Sequence, residues 1–90
     1  MAYVSGRLFS GQVTGVTVSA VPLSTGSVNI REALIQSDPT NVGNVKVGSV
    51  LSQPIVLTPG QAITLPILSL SLIYVAASVG TVTVNWLARD

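Results

Sequence analysis

The dominant pattern in this chain is a period of two. From Thr81 to Trp86 polar and apolar residues alternate, placing Val82, Val84 and Trp86 on one face of a strand. Gln61 to Leu68 does the same. Ile63, Leu65 and Ile67 point one way and Ala62, Thr64 and Pro66 the other, as in an antiparallel sheet with one buried face. Pro66, which cannot donate to a ladder, marks an edge or a bulge. Between Leu72 and Ser78 both phases are apolar, so both faces are expected to be covered, one by the core and the other by a partner chain.

No stretch longer than a few residues carries a helical period, and Val, Ile and Thr make up about a third of the chain, a bias toward the pleated surface. Eight glycines and five prolines punctuate it at the spacing of a small sandwich or barrel. The strands predicted are Gln12 to Val21, Ser27 to Ser37, Asn44 to Val50, Gln53 to Leu57, Gln61 to Leu68, Leu72 to Ser78 and Thr81 to Leu87. The expectation is an all-β chain. It is a single small antiparallel β-sandwich or jelly-roll-like barrel of about seven short strands, spanning residues 12–90 behind an N-terminal arm, residues 1–11.

Two connections have a mechanism. In Thr58-Pro59-Gly60-Gln61 the ring of Pro59 fixes φ and Gly60 admits a positive φ, the two requirements of a type II turn. Ser37 to Asn44 gathers Asp38, Pro39, Thr40, Asn41 and Gly43, side chains that bond their own backbone, and is expected to be an ordered, self-bonded loop.

Composition sharpens the picture mainly through what is missing. Only 8% of the residues are charged, the formal net charge is +1, and the span from Val47 to Ala88 has no charge at all. Ordinary domains carry about 25% charge; here Ser, Thr, Asn and Gln cover the polar positions instead. Without a basic cluster there is no row of phosphate contacts, which argues against nucleic acid as a partner. Low net charge and high hydrophobicity argue against disorder. LPILSLSLIYVAASVG is apolar enough to suggest a membrane helix, but Pro66, the serines and the alternation after Gly80 argue for strands. The N-terminus lacks the apolar run of a signal peptide.

Chemistry has few places to reside. There is no Cys and no His, and the carboxylates are Glu32, Asp38 and Asp90. Asp38, Asn41 and Asn44 offer three ligating side chains at most to a calcium ion, too few for a site of their own. Lys46 with Ser49 is the remaining serine and base arrangement, and it has no oxyanion-hole motif beside it. Catalytic, cofactor and metal residues are therefore expected to be none, and the chain is not expected to be an enzyme.

From Ala33 to Leu87, ALIQSDPTNVGNVKVGS running into LTPGQAITLPILSLSLIYVAASVGTVTVNWL, the sequence resembles a group of small β-rich proteins encoded among the virion genes of bacteriophages. The matching positions are Asp38, Pro39, Asn41, Gly43, Val45, Val47, Gly48, Leu57, Pro59, Gly60, Ile73, Tyr74, Val75, Gly80, Val82 and Val84; Val42 and Lys46 depart from it, where threonine and an aromatic are common. The resemblance implies a sandwich that assembles in many copies. Such proteins serve as capsid decoration or cement, as spike bases, or as head and tail accessory components.

The expected partners are thus the chain itself, as a homo-oligomer with a trimer preferred, and a major capsid or other virion protein. The expected location is the virion, assembled in the host cytoplasm. A host-surface or carbohydrate-binding module is the alternative, weakened by the presence of only four aromatic residues. Candidate interface residues are Tyr3, Val4, Leu8 and Phe9 in the arm, with Leu72, Tyr74 and Trp86 in the body.

Overall fold

A computed structural model describes residues 8–25 and 29–90. Its strands are β1 (Leu8–Val16), β2 (Val21–Pro22), β3 (Glu32–Ser37), β4 (Val45–Gly48), β5 (Ile55–Leu57), β6 (Ala62–Leu65), β7 (Tyr74–Ala77) and β8 (Val82–Arg89). A 3-10 turn, Leu70–Leu72, stands between β6 and β7. The strands form two four-stranded sheets, ordered β1-β8-β3-β6 and β2-β7-β4-β5, and every pairing is antiparallel.

That order has a simple origin. β4 pairs with β5, β7 with β2, β6 with β3 and β8 with β1. The chain is one long hairpin turning at residues 49–54, and the two-stranded ribbon is rolled so that alternate segments fall in opposite sheets. This is the connectivity of an eight-stranded jelly roll.

The interior follows the alternation. Val82, Val84 and Ala88 of β8, Ala33 and Ile35 of β3, Val45 and Val47 of β4, and Val75 and Ala77 of β7 are buried in one cluster closed by Ile30, Leu57 and Ile73. Ile63, Leu65 and Ile67 pack against it from the edge strand β6, while Ala62, Thr64 and Pro66 are exposed, as their phase requires. β6 ends at Leu65, immediately before Pro66. Among the described residues Ser37 is the one buried polar side chain, and its hydroxyl accepts from Asn41 Nδ2 at 3.1 Å.

Several boundaries depart from expectation. There are eight strands among the described residues, because the stretch read as one strand from Gln12 to Val21 is two strands in different sheets. The register slips between Val13 and Val16, where Thr14 and Gly15 face the single residue Thr83, and Gly15 has φ +67°. A bulge with a glycine in the left-handed region bends the strand and ends its pairing. The chain then crosses to the second sheet, with the Ala77 N–H donating to Thr17 O at 2.7 Å. The alternation itself shifts here, since Val13 and Val16 both face inward three residues apart, but the shift does not say which sheet the following strand joins.

β1 begins at Leu8, so Leu8 and Phe9 belong to the first sheet rather than to an arm. Tyr3 and Val4 lie outside the described residues, as do Ser27 and Val28 at the start of the second predicted strand, whose ladder begins only at Glu32. Leu72, expected in a strand, sits in the 3-10 turn. Ser69 caps it, its hydroxyl accepting from Ser71 N at 3.3 Å. The segment weighed as a membrane helix is therefore a strand end, this turn and β7. Among the described residues no helix is long and apolar enough to cross a membrane.

Trp86 points inward but remains half-buried, because its cross-strand partner is Gly11. A Cβ at Gly11 would lie 2.5 Å from Trp86 Cζ2, so the indole lies flat across the glycine. Gly60, by contrast, has φ +88° and open space around its Cα. Gly11→Ala is expected to displace the indole, shifting tryptophan emission and lowering the melting temperature. Gly60→Ala is expected to cost about 1–2 kcal/mol in chemical denaturation through backbone strain alone and to leave the emission unchanged.

Candidate functional site

Of the residues expected to shape turns, Asp38, Pro39, Asn41, Gly43, Pro59 and Gly60 converge on one end of the sandwich, while Gly48 stands at the other, where β4 ends. Gln61 N donates to Thr58 O at 2.9 Å, closing the Thr58–Gln61 turn, and Gly60 N donates to Ser37 O at 2.9 Å, which holds that turn against β3. In the loop between β3 and β4, Asp38 Oδ1 accepts from the Thr40 amide at 2.9 Å and from the Thr40 hydroxyl at 2.6 Å. Asn41 acts as a missing strand residue, accepting from Thr83 N at 2.8 Å and donating to Thr83 O at 2.8 Å. Gly43 is buried because a Cβ there would meet Val79 O at 2.9 Å. Pro39 and Pro59 are exposed at their tips.

The same end carries apolar tips. The connections from β1 to β2, β3 to β4 and β7 to β8 hold Val18, Val42 and Val79, all exposed, with Val42 98% accessible. Asn44 N donates to Ser78 Oγ at 3.0 Å and Ser78 N to Asn44 O at 3.0 Å, tying two of these loops together. The opposite end repeats the feature with Val50 and Leu51 between β4 and β5 and with Leu68 and Leu72 between β6 and β7, Leu51 being 92% accessible. The β4 to β5 loop packs its backbone on Gly48, where a Cβ would meet Ser52 O and Pro54.

The outer face of the first sheet is a third surface, organised in rows by the register. Leu8, Arg89 and Glu32 form one row; Ser10, Leu87, Leu34 and Thr64 the next; Gln12, Asn85, Gln36 and Ala62 the third. Arg89 Nε lies 3.2 Å from Glu32 Oε1 across the first row. Across the third, Gln12 Nε2 donates to Asn85 Oδ1 at 2.8 Å, and Asn85 Nδ2 donates to Gln36 Oε1 at 3.2 Å and to Asp38 Oδ2 at 3.1 Å. Hydrogen bonds from the Thr40 hydroxyl, then the Thr40 amide, then Asn85 hold the Asp38 carboxyl below its ordinary value of 3.8.

Of the interface candidates, Leu8 and Leu72 are exposed. Tyr74 is half-buried on the outer face of the second sheet beside Pro22 and Gly48, and Phe9 and Trp86 face inward, packed against the core. The loop tips Val18, Val42, Val79 and Leu51 and the outward Leu34 and Leu87 were not singled out by sequence. An apolar residue in a turn stretch was the available signal for the tips.

The chemical alternatives find these arrangements. The oxygens of Asp38 and Asn41 are engaged by Thr40, Asn85 and Thr83, and among the described residues no three His, Cys, Asp or Glu side chains gather to hold a metal. Ser49 Oγ accepts from Leu51 N at 3.3 Å within its own turn, while Lys46 is exposed on the outer face of β4.

Comparison with protein-family models, with curated proteins and with solved structures finds no match to this chain.

Two outcomes follow from the loop geometry. Asn41→Ala strands the part-buried N–H of Thr83 and leaves its C=O with the Asp38 amide as donor, and is expected to cost roughly 1–3 kcal/mol, measured by chemical denaturation. For Asp38 the folded carboxyl is the stronger acid, so its stabilisation is fully present above the unfolded value and is lost as pH falls through the folded one. The melting temperature of the wild type is expected to exceed that of Asp38→Asn by a constant margin from neutral pH down to about pH 5. The margin should close on acidification below 3.8.

Proposed function

We propose that the protein is a non-enzymatic structural component of a bacteriophage particle, a capsid decoration or cement protein or another minor virion component, which binds the capsid lattice as a symmetric oligomer. The observation that carries this reading is the exposure of apolar side chains at both ends of the sandwich, led by Val42 and Leu51, on a chain with very little charge. One such tip would need no explanation, but each end gathers several, Val18, Val42 and Val79 at one and Val50, Leu51, Leu68 and Leu72 at the other, and grouped apolar exposure is a feature of interaction surfaces. Interface centres are themselves depleted in charge. The jelly-roll connectivity, shared by viral capsid and lectin domains, supports the reading by analogy of fold only.

A place at the neck, tail or vertex spike uses the same surfaces with fewer copies. A host-surface or carbohydrate-binding module is the second reading, favoured by the row of amides Gln12, Asn85 and Gln36 on an open sheet face.

The test is sedimentation of purified protein with phage particles that lack it. Saturable binding at a fixed ratio to the major capsid protein is expected, weakened at least tenfold by Val42→Asp or Leu51→Asp with the β-type circular dichroism retained. Hundreds of copies per particle mean decoration, and a dozen or fewer mean vertex, neck or tail. Failure to bind particles, together with saturable binding on a glycan array, overturns the proposal in favour of the second reading.

A further inference from the structure

We infer that the outer face of the first sheet is a self-association surface, on which a second copy of the chain packs about a two-fold axis running parallel to the strands between β8 and β3. This rests on the reading of the chain as an assembling protein, but not on the particle as its destination.

The register supplies the argument. Rotation about that axis keeps each row at its own height and exchanges left for right, so β8 of one copy faces β3 of the other. Arg89 then meets Glu32 of the second copy, Leu87 meets Leu34, and Asn85 meets Gln36. At the flanks β1 faces β6, which sets Ser10 against Thr64 and Gln12 against Ala62. One row higher, Asp38, whose amide donates to Thr83 O at 3.1 Å, faces the uncharged Thr83.

Every charge in these rows therefore meets an opposite charge or a neutral group. Other axes parallel to the strands lack that property. A two-fold along β8 itself sets Arg89 on Arg89, and one along β3 sets Glu32 on Glu32. An axis perpendicular to the strands through the leucine row sets the charged pair over neutral amides, which avoids like charges but forms no ion pair between copies. Lys46 is on the second sheet and takes no part.

The apolar centre fits the same axis. Leu34 and Leu87 are 37% and 40% exposed although they stand on the middle strands, and with Ser10 and Thr64 they make a neutral row between a charged row and an amide row. An isologous contact needs this kind of patch, because each side must complement itself. Four strands at about 4.8 Å spacing and three rows give a footprint of roughly 400 Å² per copy in projection, which places the contact in the weak, transient class. Contacts of that class are weak, and the association is to be sought at about 1–100 µM. The symmetry is two-fold rather than that of the trimer expected from sequence.

Sedimentation equilibrium of the full chain tests the inference, with Arg89→Glu and Glu32→Arg as single variants. Both side chains are exposed, so the fold is expected to survive, which circular dichroism checks. Each variant alone sets like charges across the axis and is expected to dissociate at least tenfold more readily than the wild type. An equimolar mixture of the two is expected to form a heterodimer in native mass spectrometry, because the two acidic side chains that the first variant carries in this row then face the two basic ones of the second. That rescue separates contact between copies from loss of the ion pair within one copy, which the mixture does not restore. Leu34→Asp, placed on the neutral row, is expected to abolish the dimer.

A wild type that is monomeric at 500 µM (about five times the weakest affinity expected), single variants that associate like the wild type, or a mixture without heterodimer overturns the inference. A dimer that fails to bind particles leaves it standing and removes the virion reading instead. Particle binding by a protein that is monomeric in solution does the reverse.

Discussion

The structure depends on one strand paired on both sides. β8 takes β1 on one edge and β3 on the other, and its alternating side chains serve two purposes. Val82, Val84 and Ala88 close the core, while Thr83, Asn85, Leu87 and Arg89 set the pattern of the outer face. Because the side-chain period is two, a slip of one residue in this ladder would expose the valines and bury the arginine and the amide together. Asn41 secures the register at one end through both polar backbone groups of Thr83, and the Arg89 and Glu32 pair lies at the other.

The core that this ladder closes is built mainly from small and β-branched side chains, which suits two sheets facing each other across a short distance. The scarcity of long charged side chains then has a direct consequence. In most small domains lysine and arginine stems cover apolar surface at the periphery. Here serine, threonine and amides occupy those positions, too short to cover a neighbouring leucine, so Leu34, Leu87 and the loop valines stay accessible.

The fold class was legible because alternation, turn chemistry and β-branched composition agree. Ile63, Leu65 and Ile67 face the core, Gly60 takes its positive φ, and Asp38 and Asn41 bond as their residue types suggest. The number of strands and their sheets were not. The crossing at Thr17 depends on the bulge at Gly15, where the inward phase shifts between Val13 and Val16, and that shift does not say which sheet the chain joins next. The surfaces were legible only in part for a related reason. Leu34 and Leu87 lie in strands and read as core residues by type, and only the phase of the ladder turns them outward. Trp86 shares the inward phase of Val82 and Val84, and its half-exposure comes from Gly11, its cross-strand partner near the other end of the chain.

The rolled ribbon also bears on how the chain is made. Gln12 and Asn85, bonded across β1 and β8, are separated by 73 residues, and the first strand has no partner among the described residues until the last has been synthesised. Such topologies fold slowly, because long loops must close before their contacts form. During synthesis β4 and β5 can pair at once, and β3 and β6 soon after, but β1 waits as an unpaired nine-residue edge with neither lysine nor proline to discourage pairing with another chain. The interval before β8 emerges from the ribosome is therefore when the chain is most exposed to mispairing with its neighbours on the same message.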